Sequence, residues 1–142
     1  MQTQLINAEE KLSLSYDNQD LVATVVLDKD CEITYDLKNG TYNFLVISDG
    51  VSDINLVEKG QIKDAEVKIT YLSLDDKNLK QDCQIKIKSG GHLETFGYYL
   101  LANKKEIYYL ADLIEPNGYA KVTNSTVSLE GSSLDFDIIG AI

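Results

Sequence analysis

No run of basic residues interrupts this sequence, and that absence excludes several classes of partner. Lys and Arg total 13 against 23 Asp and Glu, a formal charge of −10 over 142 residues. Nucleic-acid binding needs clustered Lys and Arg to neutralise phosphates, and an anionic membrane surface asks for the same, so both partners are disfavoured. No uninterrupted apolar stretch approaches the roughly 20 residues of a membrane helix. The opening stretch, Met1 to Glu10, lacks the basic segment and apolar core of a secretory signal, and the expected location is cytoplasmic. There is one histidine, His92, and there are two cysteines, Cys31 and Cys83. The cysteines lie far apart and outside any CxxC or other ligand spacing, which points to reduced core residues. The nucleophile elbow, the phosphate loop, the dinucleotide fingerprint and the zinc-protease motif are all missing.

What the chain has instead is a train of short β-rich runs punctuated by Gly, Asn and Asp, with almost no helical periodicity. Strands are expected at 21–27, 31–37, 42–48, 53–57, 65–74, 83–88, 92–101, 106–114, 119–129 and 134–142. Turn signals stand between them at Asn39-Gly40, Asp49-Gly50, Lys59-Gly60, Gly90-Gly91, Asn117-Gly118 and Glu130-Gly131. Side chains alternate across a strand, so the apolar positions show the buried side. Cys31, Ile33, Tyr35 and Leu37 share one face, as do Cys83, Ile85 and Ile87, and Val67, Ile69 and Tyr71. Strands apolar on one side fit two all-β architectures, a sandwich or jelly roll of hairpins and a parallel β-helix of stacked coils. Asn39-Gly40 suits a two-residue hairpin, whereas the irregular gaps suit stacked coils. At this length a single domain over 1–142 is the default, with residues 1–20 as a cap or an extended N-terminal segment.

Few residues invite chemistry. Any imidazole base or metal site must use His92, which follows Gly90-Gly91 at the start of a strand, where an exposed His without a role is commoner. Thiolate chemistry at Cys31 or Cys83 would need exposure and a lowered pKa, and both lie on apolar faces. Asp28, Asp30 and Glu32 alternate like the start of a calcium loop, but the loop glycine and the distal Glu are missing. Asp135 and Asp137 fare no better. Tyr98-Tyr99 and Tyr108-Tyr109 each place one ring outward, and the two outward rings could form a platform for a sugar or a protein; packing across strands is the plainer account. No catalytic residue and no metal ligand is assigned.

From about Cys83 onward the order of features resembles the core domain of the SufB/SufD family, the scaffold proteins of iron-sulfur cluster assembly. The resemblance is carried by His92-Leu93-Glu94-Thr95-Phe96-Gly97-Tyr98-Tyr99-Leu100-Leu101-Ala102 and Ile107-Tyr108-Tyr109-Leu110-Ala111-Asp112. It continues through Thr123-Asn124-Ser125-Thr126-Val127-Ser128-Leu129-Glu130-Gly131 to Leu134-Asp135-Phe136-Asp137-Ile138-Ile139-Gly140-Ala141-Ile142. It implies a right-handed parallel β-helix and a non-catalytic scaffold or interaction protein, partnered by a second copy, a related scaffold subunit or an ABC-type ATPase. Where many members have a His between the acid and the turn, this sequence has Glu115-Pro116. The family's later segment, with its cluster-linked Cys and His, has no counterpart, so no site residue carries over and no cofactor is expected on this chain alone. A carbohydrate- or protein-binding β-sandwich is the alternative.

Overall fold

The computed structural model describes residues 2–101, 105–111, 116–128 and 134–140. Among these, twelve strands follow one another: β1 (Gln2–Asn7), β2 (Lys11–Asp17), β3 (Asp20–Leu27), β4 (Cys31–Lys38), β5 (Thr41–Ser48), β6 (Ile54–Lys63), β7 (Glu66–Ser73), β8 (Leu79–Ile87), β9 (His92–Leu101), β10 (Lys105–Ala111), β11 (Tyr119–Ser128) and β12 (Leu134–Gly140). Odd-numbered strands form one six-stranded sheet in chain order and even-numbered strands form another. Every pairing among them is parallel. This is a β-helix, or β-solenoid: each coil lays one strand on each sheet, and the apolar sides of the two sheets face each other. The sandwich of hairpins is thereby excluded, since hairpins pair consecutive strands antiparallel.

Alternation decides the core. In β4 the buried set is Cys31, Ile33, Tyr35 and Leu37, and in β8 it includes Cys83, Ile85 and Ile87, each backed by more exposed polar neighbours. Parallel register stacks these into columns, Tyr16–Leu37–Ile62–Ile87 on one sheet and Leu21–Tyr42–Val67–Leu93 on the other. Fully burying one such side chain contributes about 1.5–3 kcal/mol. Residues 1–20, expected as a cap or extended segment, supply β1 and β2 at one end of the stack.

The coils widen along the chain. From Gln2 to its partner Leu21 the chain advances 19 residues, and from Leu93 to Ala120 it advances 27. No fixed repeat is therefore visible in the sequence. One corner nevertheless recurs from coil to coil. Asn18, Asn39, Asp64, Gly90 and Asn117 all have φ between 48° and 74°, a left-handed conformation that Gly, Asn and Asp adopt most readily. The corners bond to one another: Asn18 N donates to Lys38 O, Asn39 N to Lys63 O, Asp64 N to Ser89 O, and Gly90 N to Asn117 O. Asn39-Gly40 thus turns the chain from one sheet to the other and closes no hairpin.

The largest departure from the expected strands is β6, which runs through the supposed Lys59-Gly60 turn. Gly60 lies mid-strand with φ +118°, where an added Cβ would sit 1.9 Å from Tyr35 O. The glycine permits close backbone approach to β4; it does not end the strand.

Candidate functional site

Among the described residues the interior holds one concentrated polar cluster. Glu58 on β6 is fully buried, in phase with Ile54, Leu56 and Ile62 and stacked between Ile33 and Cys83. Tyr35 Oη donates to Glu58 Oε2 at 2.6 Å, and Tyr71 Oη lies 2.8 Å from both carboxylate oxygens. Gln81 Nε2 donates to Oε1 at 3.1 Å and accepts at its own oxygen from Tyr99 Oη at 3.3 Å. Tyr35 and Gln81 belong to the even-numbered sheet, Tyr71 and Tyr99 to the odd-numbered one, so the cluster ties the two sheets together. Burial raises the Glu58 pKa above the ordinary carboxylate value, against the opposing effect of the hydrogen bonds from Tyr35, Tyr71 and Gln81. A buried carboxylate satisfied in this way is a structural clasp. Its side chain is closed off from solvent.

Both thiols lie near this clasp and are buried. Burial, then the Glu58 and Glu32 carboxylates, push Cys31 up to about 11. Burial, with Glu58 and Asp82 behind it, raises Cys83 well above its usual value. Neither is poised as a nucleophile or ligand, because it is the thiolate that reacts.

His92 is exposed at the start of β9, its ring centroid 5.7 Å from that of Tyr119. It lines an open depression of about 240 Å³ with Thr41, Asn43, Glu66, Lys68 and Glu94. Among the described residues no three His, Cys, Asp or Glu side chains come together as a metal site. The acidic run has local duties: Asp30 accepts from the Asn55 backbone N–H at 2.8 Å, Glu32 is paired with Lys59, and Asp28 makes an exposed contact with Lys29. Asp53 accepts in the same way from the Asn78 backbone N–H, so these aspartates cap successive coils. The side chains of Asp135 and Asp137 lie outside the described residues.

The tyrosine pairs do not share a face. Tyr98 lies on β9 and Tyr108 on β10, in different sheets, because consecutive strands of a solenoid never pair. Tyr99 is buried and Tyr98 is 43 % exposed; the side chains of Tyr108 and Tyr109 lie outside the described residues.

The two outer faces differ in chemistry. On the even-numbered sheet the outward rows carry charged residues around the exposed Val57, and several of their polar groups pair with one another. Lys59 meets Glu32, the Gln61 amide donates to Asp36 at 3.3 Å, and Gln84 donates to Asp82. On the odd-numbered sheet two adjacent rows carry no charge. One is Thr24–Leu45–Thr70–Phe96–Thr123; the other is Val26–Ile47–Leu72–Tyr98. These side chains are half-buried or exposed, and Leu74, at 62 % exposure, follows on from β7. The two rows together make an uncharged patch on a chain of charge −10. It was missed in the sequence because outward positions of a strand are read as solvated by default.

No family model, no curated protein and no solved structure matches this chain.

Proposed function

We propose that this protein is a non-catalytic scaffold, a rigid β-solenoid that binds another protein surface through the outer face of its odd-numbered sheet. The carrying observation is the contrast between the faces: on one, charged residues stand in every outward row among contacts such as Lys59–Glu32, and the other presents two uncharged rows across the stacked strands. A solenoid suits the role because parallel coils hold such rows at fixed spacing. The narrower proposal, a scaffold of iron-sulfur cluster assembly like SufB/SufD, is supported by the resemblance from Cys83 onward and is compatible with the β-helix.

The test is the size of the native complex in extracts of cells producing the tagged chain. The chain should migrate above its 15.8 kDa mass. Ile47→Lys/Leu72→Lys should return it to monomer size, while Thr34→Lys/Gln84→Lys on the other sheet should leave the complex intact. A native chain that migrates as a monomer, or one indifferent to both pairs of substitutions, contradicts the proposal. Co-purification of an ABC-type ATPase would favour the iron-sulfur form of it.

A further inference from the structure

We infer that the outer face of the odd-numbered sheet, with its two uncharged rows, pairs with the same face of a second copy of this chain, about a two-fold axis running along the strands between β7 and β9. This rests on the interaction role proposed above and names the partner. Rotation about such an axis preserves strand direction, reverses strand order, and lays each outward row against the same row of the other copy. β7 then covers β9 of the second copy, and β5 covers β11. Leu72 faces Tyr98, and Thr70 faces Phe96.

The row beside the uncharged pair fixes the position of the axis. It reads Val22–Asn43–Lys68–Glu94–Lys121 in register. An axis through β7 would set Lys68 on Lys68, and an axis through β9 would set Glu94 on Glu94. Midway between them Lys68 faces Glu94 and Glu94 faces Lys68, making two opposite-charge pairs across sheets about 10 Å apart; midway between β5 and β7 these residues would face Asn43 and Val22, and midway between β9 and β11, where Glu94 would face Lys121, only the two strands at that end of the sheet would overlap. Like charges brought together in an interface are disfavoured strongly enough to reject the axes through β7 and β9.

Area and charge both fit this occupant. Four strands at about 4.8 Å spacing, each of roughly eight to ten residues at about 3.3 Å, cover roughly 550 Å² per copy. The total of about 1,100 Å² clears the ~1,000 Å² that a specific interface requires. A basic partner would be drawn to the acidic turns, whereas two chains of charge −10 can associate closely only through a face without net charge.

The experiment is sedimentation velocity of the whole chain at about 50 µM, an ordinary working range for an interface of this size. The native chain should be a dimer. Lys68→Glu, which makes the Lys68–Glu94 contacts all-acidic, and Glu94→Lys, which makes them all-basic, should each weaken self-association at least about tenfold. An equimolar mixture of the two variants should dimerise again, since both contacts then join Glu to Lys. That rescue in trans separates an interface from a pairing within one chain, and circular dichroism checks that each variant is folded. A monomeric native chain, variants as dimeric as the native chain, or a mixture that stays monomeric overturns the inference. If the native chain is monomeric when purified yet sits in a larger complex in extracts, sensitive to Ile47→Lys/Leu72→Lys, the second copy is wrong and the scaffold role stands.

Discussion

Tyr35 and Tyr71 reach from opposite sheets to the same carboxylate: the Tyr35 hydroxyl donates to Glu58 at 2.6 Å, and the Tyr71 hydroxyl lies 2.8 Å from each of its oxygens. The consequence is a pH dependence with a definite sign. Burial raises the folded-state pKa of Glu58 above the ordinary value of about 4.5, so the folded chain holds this proton more tightly than the unfolded one. The stability contributed is full below about pH 4.5 and is lost as pH rises through the raised folded value. Glu58→Gln keeps the shape and removes the titration. As pH rises across that window, the difference in unfolding free energy between the two proteins should therefore shift in favour of the glutamine variant. Urea unfolding at a series of pH values checks this, and a constant difference contradicts it.

Gly60 lets the chain carrying Glu58 press against Tyr35. Gly60→Ala meets both a positive φ and backbone atoms of Tyr35 closer than any real contact, and should destabilise by roughly 2–4 kcal/mol. Gly91→Ala is the comparison, since its closest contact is 2.7 Å and its φ is not in the left-handed region; it should cost less. Thermal unfolding of the two variants ranks them.

Thr95 is buried, and its hydroxyl has no hydrogen-bond partner among the described residues. Thr95→Val replaces that hydroxyl by a methyl of similar size. Removing an unsatisfied buried group should stabilise by about 1 kcal/mol, read as a raised denaturation midpoint with an unchanged urea dependence. A lower midpoint would mean that the hydroxyl has a partner after all.

The thiols should be inert in the folded chain. Cys31 and Cys83 are buried with raised pKa values. A disulfide-exchange reagent should therefore modify them only as fast as the protein opens, and about as slowly at pH 8 as at pH 7. Anaerobic reconstitution of the chain alone should give no stoichiometric iron-sulfur cluster. A cluster that disappears in Cys31→Ser or Cys83→Ser would show a thiol accessible to ligands.

Much of the fold was legible because a half-buried strand writes its two faces in alternation. Cys31–Leu37 and Cys83–Lys88 can be assigned as strands, each with its buried side, from that alone. Which sheet a strand joins could not be read locally, because Asn39-Gly40 supplies the same left-handed backbone at a solenoid corner as at a hairpin. The pairs Tyr98-Tyr99 and Tyr108-Tyr109 read as neighbours for that reason, although their strands lie in different sheets. Lys59-Gly60 reads as a turn in the sequence because glycine in a strand leaves the same trace as glycine ending one. Glu58 escaped notice because charge normally marks the solvent side. Its phase with Ile54, Leu56 and Ile62 was the available signal, and the Tyr35 and Tyr71 that make its burial tolerable come from other strands, distant in sequence.

The claim that the outer face of the odd-numbered sheet is an interaction surface is tested most directly by a photo-crosslinking residue placed at position 72 and, separately, at position 34 on the opposite outer face, in the full chain inside the producing cell. The account predicts a discrete adduct from position 72, at twice the chain mass if the second copy is the partner, and none from position 34. No adduct from position 72, or equal yields from both positions, would contradict it.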